Sequence, residues 1–135
     1  MSLGRLTIII QTKALDRVHY ALMLAASHAA LDGKVHLFFG IEGVETLKVN
    51  NWPNLKTASG EEGAAYLDRL EVAGAAHPDE LFSALKELDV EITACDTALS
   101  VAGMSPGSMT QSVNIEISGI TSALSNGKDG QIIYV

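Results

Sequence analysis

Residues 6–39 read LTIIIQTKALDRVHYALMLAASHAALDGKVHLFF. The bulky, non-alternating run at Leu6–Ile10 is typical of a strand that is covered on both faces of a parallel sheet. Asp16 can cap a following helix, because its carboxylate can accept hydrogen bonds from first-turn amides. The helix has one apolar stripe: Val18, Ala21, Leu22, Ala25, Ala26 and Ala29. Gly33 can end it in a left-handed conformation before a second strand at Val35–Phe39. These elements predict a β–α–β unit with a right-handed crossover.

The rest of the chain continues this alternation. Further strand patterns occur at 90–95, 113–117 and 131–135, and helix patterns occur at 44–47, 61–70, 78–88, 98–104 and 119–124. About five strands between helices predict an α/β fold, a three-layer α/β/α sandwich around a mostly parallel sheet. The chain has 135 residues, of which 47% are apolar. We therefore expect residues 1–135 to form a single domain around one hydrophobic core.

The charge of the chain argues against two classes of partner. Its 9 Lys and Arg residues stand against 16 Asp and Glu residues, which gives a formal net charge of -7. This sign disfavours nucleic acid and anionic membrane surfaces. The longest apolar runs have about five residues, far below the roughly 20 of a membrane-spanning helix, so no membrane span is predicted. The N-terminal residues lack the apolar core of a signal peptide, which indicates a cytoplasmic protein.

Cys95 is the only cysteine, and it closes the predicted strand at 90–95. Ligands of open α/β sheets gather at the carboxyl ends of the strands, where this residue should lie. The N–H groups of the next helix would favour its thiolate, whereas the carboxylate of Asp96 would oppose it. One cysteine excludes an intrachain disulfide and a multi-cysteine metal site. Either a reactive thiol or a buried packing residue remains.

Two segments around this cysteine resemble the DsrE/DsrF-like family, particularly its DsrE2-like branch. Residues 93–104 read TACDTALSVAGM, in which an acidic residue follows the cysteine and a glycine with an apolar neighbour lies further on. Residues 35–47 read VHLFFGIEGVETL, which is similar to the second strand of that branch. The weaker likeness extends over most of the chain.

The resemblance implies a compact α/β homo-oligomer, commonly a trimer or a hexamer, that acts in sulfur relay. Cys95 is the only residue that maps onto a functional position of the family. In the implied mechanism its thiolate takes the outer sulfur of a donor persulfide, holds it as Cys–S–SH and passes it to an acceptor thiolate. The predicted function is a small sulfur carrier or sulfurtransferase-like protein whose donor and acceptor the sequence does not name. One cysteine suffices for this relay, whereas a dithiol cycle needs a second.

A non-catalytic oligomeric module that binds a small ligand is the alternative function. Gly40 and Gly43 follow the second predicted strand, and a small-residue loop that begins at Met104 follows the cysteine helix. Together with Cys95 these residues are the candidates for lining a pocket. The two glycines lack the spacing of a dinucleotide-binding motif, so no cofactor is predicted.

The four histidines have no spacing that is common among metal sites, and no metal is predicted. They are His19, His28, His36 and His77. His36 can act as an acid or base beside Cys95 only if their two strands are neighbours. A histidine in a strand is more often simply held by a hydrogen bond.

The first predicted helix carries a second apolar line, formed by Tyr20, Met23, Leu24 and Leu31. One sheet face cannot cover both this line and the main stripe. The residues therefore predict another cover, either a second copy of the chain or the segment 55–67 folded over the helix.

Overall fold

The computed structural model describes residues 3–135 of the chain. Its five strands are β1 (Leu6–Ile10), β2 (Val35–Phe39), β3 (Glu91–Cys95), β4 (Ile115–Ser118) and β5 (Gln131–Tyr134). They form one sheet in the order β4-β3-β2-β1-β5, and every pair is parallel. The predicted α/β fold with a mostly parallel sheet of about five strands is confirmed.

Five α-helices connect the strands: α1 (Leu15–Ala30), α2 (Gly63–Ala73), α3 (Pro78–Glu87), α4 (Asp96–Ala102) and α5 (Ile120–Asn126). Three 3₁₀ segments lie at Ile41–Leu47, Trp52–Asn54 and Pro106–Ser108. Crossovers between parallel strands are right-handed, so this strand order puts the helices from β1 through β4 on one sheet face and α5, on the return to β5, on the other. No helix within 3–135 combines the length and the apolar character that crossing a membrane requires.

The two ends of α1 differ from their sequence-based predictions. The N-cap is Ala14, not Asp16, whose carboxylate instead accepts a hydrogen bond from the Ala58 N–H at 2.9 Å. The left-handed residue after the helix is Asp32, with φ 63°, rather than Gly33. A Cβ at Gly33 would overlap the ring of His28, so this ring would have to move if the glycine were replaced.

The core lies between the sheet and its helices. Every residue of β1 and β2 is buried, as their bulky runs predicted. The largest fully buried side chains include Phe38, Phe39 and Phe82, the last from α3, which packs against α1. The edge strands β4 and β5 are buried less completely.

The second apolar line of α1 stays open to solvent. Tyr20 is 70% exposed and Leu31 59% exposed, with Met23 and Leu24 less so. The prediction that the segment 55–67 covers this line is therefore wrong. That segment turns inward instead, since Leu55 and Thr57 are buried.

Trp52 anchors the long connection between β2 and α2. Its ring is buried and lies 5.5 Å from the ring of Phe82, centroid to centroid. Its indole N–H donates to Asp79 Oδ1 at 2.8 Å. Gly63 then packs directly on the carbonyl groups of Leu55 and Trp52, where a side chain would not fit. This connection lies against the start of α1, because the Leu15 N–H donates to the Lys56 carbonyl at 2.9 Å.

Candidate functional site

Cys95 lies where β3 ends and α4 begins. It is the last residue of the strand and also the N-cap of the helix. No loop intervenes, and the thiol is held at the carboxyl edge of the sheet by main chain on both sides. The residue is 8% exposed. The side chain packs within the hydrophobic core, so the thiol is buried at this edge of the sheet.

Asp96, the residue after the cysteine, binds a main-chain amide of the first turn of α4. Its Oδ1 accepts the N–H of Thr97 at 2.7 Å. The cap position shows no side-chain hydrogen bond from Cys95 to the helix amides. A first-turn amide that would otherwise favour a thiolate is therefore used by the neighbouring carboxylate, which is itself exposed.

Gly40 and Gly43 are both buried, and their amides are used within the fold. The Gly40 N–H donates to the Ile10 carbonyl at 2.9 Å, and the Gly43 N–H donates to the Gly40 carbonyl at 2.7 Å. A Cβ on Gly43 would overlap the Ile10 carbonyl oxygen. The two glycines thus let the Ile41–Leu47 segment pack against the end of β1.

The loop that contains Met104 is fastened beside this segment. The Val49 N–H donates to the Ser108 carbonyl at 3.1 Å, and the Thr110 N–H donates to the Leu47 carbonyl at 2.7 Å. Met104 is partly buried against the core. Since Ile41–Leu47 also packs against α4, the glycines, the cysteine and this loop meet at one edge of the sheet.

His36 lies on β2, which pairs with β3, but it is too far from Cys95 along the strand direction to contact the thiol. The ring Nε2 is 2.8 Å from Thr93 Oγ1, and the in-register partner of His36 is Glu91. The register places Cys95 beside Gly40. Gly40 follows His36 by four residues, so the thiol lies about 13 Å from His36 along the strand direction, at roughly 3.3 Å per residue. The suggested acid or base role of His36 beside the thiol is therefore wrong.

Burial lowers the pKa of His36 below its usual value. Arg5 acts in the same direction, whereas Glu91 and Glu116 oppose it. Two buried polar atoms, Nδ1 of His36 and Oγ1 of Thr7, have no hydrogen-bond partner among the described residues. Thr7 is the in-register partner of His36 in β1.

The low pKa of His36 predicts that the protein loses stability in mild acid. The unfolded chain binds a proton near pH 6.5, but the folded chain resists it, so stability falls as the pH drops below about 6.5. We expect this slope to reach at most about 1.4 kcal/mol per pH unit. Urea unfolding of wild type and His36→Phe between about pH 7.5 and 5.5 measures it. The variant should lose the slope and the control His28→Gln should keep it; equal slopes in all three proteins would contradict the assignment.

The other histidines have structural partners. His19 Nε2 is 2.8 Å from the Ala76 carbonyl oxygen, and His28 Nε2 is 2.6 Å from that of Gly4. His77 caps α3 by accepting the Asp79 N–H at 3.0 Å. Within the part of the chain that the structure describes, no group of three or more His, Cys, Asp or Glu side chains could hold a metal ion.

A cleft of about 600 Å³ lies beside the first turn of α1 and was not predicted from the sequence. Its walls come from residues 12–17, from the segment after β2 and from the connection that Trp52 anchors. Its charged lining residues are Lys13, Arg17, Glu42, Glu45, Lys48 and Lys56. Cys95, Gly40, Gly43 and Met104 do not line it.

Known proteins match this chain in family and in fold. A family model described as DsrE/DsrF-like family matches residues 5–130. The solved structure of protein of unknown function MTH1491 from Methanobacterium thermoautotrophicum is 15% identical, with a TM-score of 0.65. The crystal structure of ychN protein from E. coli is 14% identical, with a TM-score of 0.59. Each comparison covers 98% of this chain and 100% of the other.

At these identities the two solved structures support the fold alone. A comparison with curated proteins found no significant match. The family model, by contrast, spans nearly all of the sequence, including both glycines and the cysteine at the carboxyl edge. The chain therefore belongs to the DsrE/DsrF-like family.

Proposed function

We propose that this protein is a small cytoplasmic sulfur carrier or sulfurtransferase-like protein that holds sulfane sulfur as a persulfide on Cys95. Membership of the DsrE/DsrF-like family supports a role in sulfur relay. The observation that carries the proposal is the position of the only cysteine, at the junction of β3 and α4 with 8% of its surface exposed. Sulfur transfer requires that a donor reach this buried thiol at the carboxyl edge of the sheet.

The transfer involves two exchanges at sulfur. The Cys95 thiolate attacks the outer sulfur of a donor persulfide, R–S–SH, and a new S–S bond forms as the donor S–S bond breaks. The donor leaves as the thiolate RS⁻ with the bonding electron pair. An acceptor thiolate then attacks the outer sulfur of the Cys95 persulfide and releases the Cys95 thiolate. Neither exchange needs an external oxidant or reductant, so one cysteine is sufficient.

Mass spectrometry after incubation with polysulfide tests this function directly. Wild type is expected to gain about 32 Da, one sulfur atom, on Cys95, and Cys95→Ser is expected to gain none. A reducing agent should remove the added mass. Wild-type protein that stays unmodified in its folded state, or a Cys95→Ser variant that still gains sulfur, would reject the proposal.

The Asp96→Asn variant tests how the thiol is controlled. Loss of the carboxylate removes a negative charge beside the sulfur and weakens the competition for the Thr97 amide. We expect alkylation of Cys95 near pH 6.5 to become about threefold faster, which corresponds to a helix-end effect of about 0.7 kcal/mol. Asp129→Asn, with its carboxylate just before β5 at the opposite edge of the sheet, is the matched control. An unchanged alkylation rate in Asp96→Asn would show that Asp96 does not restrain the thiol.

We further propose that the protein acts as a homo-oligomer, a trimer or a hexamer as the family resemblance implies. The exposed second line of α1 is the surface that a second copy would cover. Sedimentation velocity should show an oligomer for wild type and a smaller species for the double variant Tyr20→Glu, Leu24→Glu. Val72→Glu changes a side chain on α2 that is 90% exposed and serves as the control. A monomeric wild type would contradict this proposal.

A further inference from the structure

The cleft beside α1 collects the basic side chains of an acidic protein. The whole chain has 9 Lys and Arg residues against 16 Asp and Glu residues. Four of those nine line this one cleft, namely Lys13, Arg17, Lys48 and Lys56, together with two carboxylates. Cations that converge in a concave surface raise the local concentration of anions. The charge of the cleft is thus opposite to that of the protein as a whole.

The two carboxylates of the cleft are already paired. Lys13 Nζ lies 3.3 Å from Glu42 Oε2 and 3.3 Å from Glu45 Oε2. The hydrogen bond to Glu42 has the largest effect and that to Glu45 the next largest, and both raise the pKa of Lys13 above its usual value. The Lys13 side chain therefore stays charged. Lys13 therefore offsets one of the two negative charges that would repel an anion.

Arg17 and Lys48 are the free cations of the cleft. Within residues 3–135, neither has a carboxylate oxygen within the 4.0 Å of an ion pair. Lys56 pairs with Glu62 at 3.6 Å, but both side chains are well exposed and such a pair is weak. Two unpaired charges, one from α1 and one from the segment after β2, thus face the same space.

Main-chain and side-chain contacts hold the walls of the cleft in place. The Leu15 N–H donates to the Lys56 carbonyl at 2.9 Å, which fastens the start of α1 to the opposite wall. Lys48 forms an antiparallel bridge with Met109. Asn51 Nδ2 donates to the Glu45 carbonyl at 2.8 Å. The main chain that carries these cations is therefore already held in place, which reduces the entropy that is lost when a ligand binds.

The chemistry of the lining selects among anions. A volume of about 600 Å³ suits a small molecule. The guanidinium of Arg17 matches the oxygens of a phosphate group, and Lys48 supplies a second charge. Thr12 and Asn54 add polar groups that suit hydroxyls, and among the described residues no aromatic side chain lines the cleft to stack on a base. We propose that this cleft binds a small phosphorylated polyhydroxy compound of the sugar-phosphate class.

Isothermal titration calorimetry with the full chain tests this site independently of Cys95. The probes are glucose 6-phosphate, ribose 5-phosphate, glucose and citrate. At least one sugar phosphate should bind about tenfold more tightly than glucose and citrate. Arg17→Gln and Lys48→Gln should each weaken that binding about tenfold, because each removes one charge-assisted contact. Lys128→Gln, which removes one positive charge outside the cleft, should bind as wild type does.

Three results would overturn the proposal. The first is that neither sugar phosphate binds at concentrations up to about 10 mM, because a specific site should have a dissociation constant below that concentration. The second is binding of citrate as tight as that of the sugar phosphates, which would indicate attraction of any polyanion. The third is an equal loss of binding in Lys128→Gln, which would indicate an effect of net charge. Thermal unfolding of each variant checks that the exposed substitutions leave the fold intact.

Discussion

Replacing Gly43 with alanine is expected to destabilise the protein by about 3 kcal/mol, because the new methyl group has no space. It would overlap the carbonyl oxygen of Ile10 and lie 3.4 Å from the Cγ2 atom of the same residue. Ile10 is fully buried at the end of β1, and its carbonyl accepts the Gly40 N–H at 2.9 Å. The carbonyl cannot move away without losing that bond, so the Ile41–Leu47 segment must shift instead.

Urea unfolding followed by far-ultraviolet circular dichroism measures this loss. Gly107→Ala is the matched control, because an added Cβ there has no atom within 4 Å. Its stability should stay within about 0.5 kcal/mol of wild type. If Gly43→Ala proved as stable as the control, the close contact between this segment and β1 would not exist in solution. The placement of the loop that contains Met104, which docks on the same segment, would then also be in doubt.

Replacing Trp52 with alanine is expected to cost about 4 kcal/mol, since a large buried ring leaves a cavity against Phe82. The indole also donates to Asp79 Oδ1, so the substitution leaves that carboxylate without its partner. Trp52→Phe keeps most of the ring contact and loses only the hydrogen bond, for which we expect about 1 kcal/mol.

The same pair of variants separates folding from ligand binding. Trp52 supports the connection that forms one wall of the cationic cleft, so Trp52→Ala should also abolish binding of a sugar phosphate there. Trp52→Phe should retain most of it. Equal stabilities for the two variants would show that the ring does not anchor the connection.

The strands of this fold could be predicted because their signal is local. Runs such as Leu6–Ile10 and Val35–Phe39 are buried on both faces, and continuous bulky residues indicate that without any knowledge of neighbours. The N-cap of α1 could not be predicted from a local signal. The helix begins at Leu15, whose N–H is satisfied by the distant Lys56 carbonyl, so no capping side chain is needed. Such a partner across the fold leaves no trace in the local sequence.

The candidate site likewise has features that the local sequence indicates and features that depend on distant residues. The end of β3 at Cys95 follows from the alternation of side chains along the strand, and the sequence placed it correctly. The failure of His36 as its partner depends on the register between β2 and β3, which the sequence does not encode locally. The cationic cleft was missed because it joins Arg17 to Lys48 only after the connection around Trp52 has folded.

The pairing of β1 with β5 has a consequence for the growing chain on the ribosome. Leu6 lies beside Gln131, so β1 receives one of its two neighbours only after β5 has been synthesised. Until then a nascent chain carries a bulky apolar strand with one unpaired edge, which is a template for wrong pairing. Emergence of β5 from the ribosome, rather than emergence of any single β–α unit, is therefore the event that allows this sheet to close.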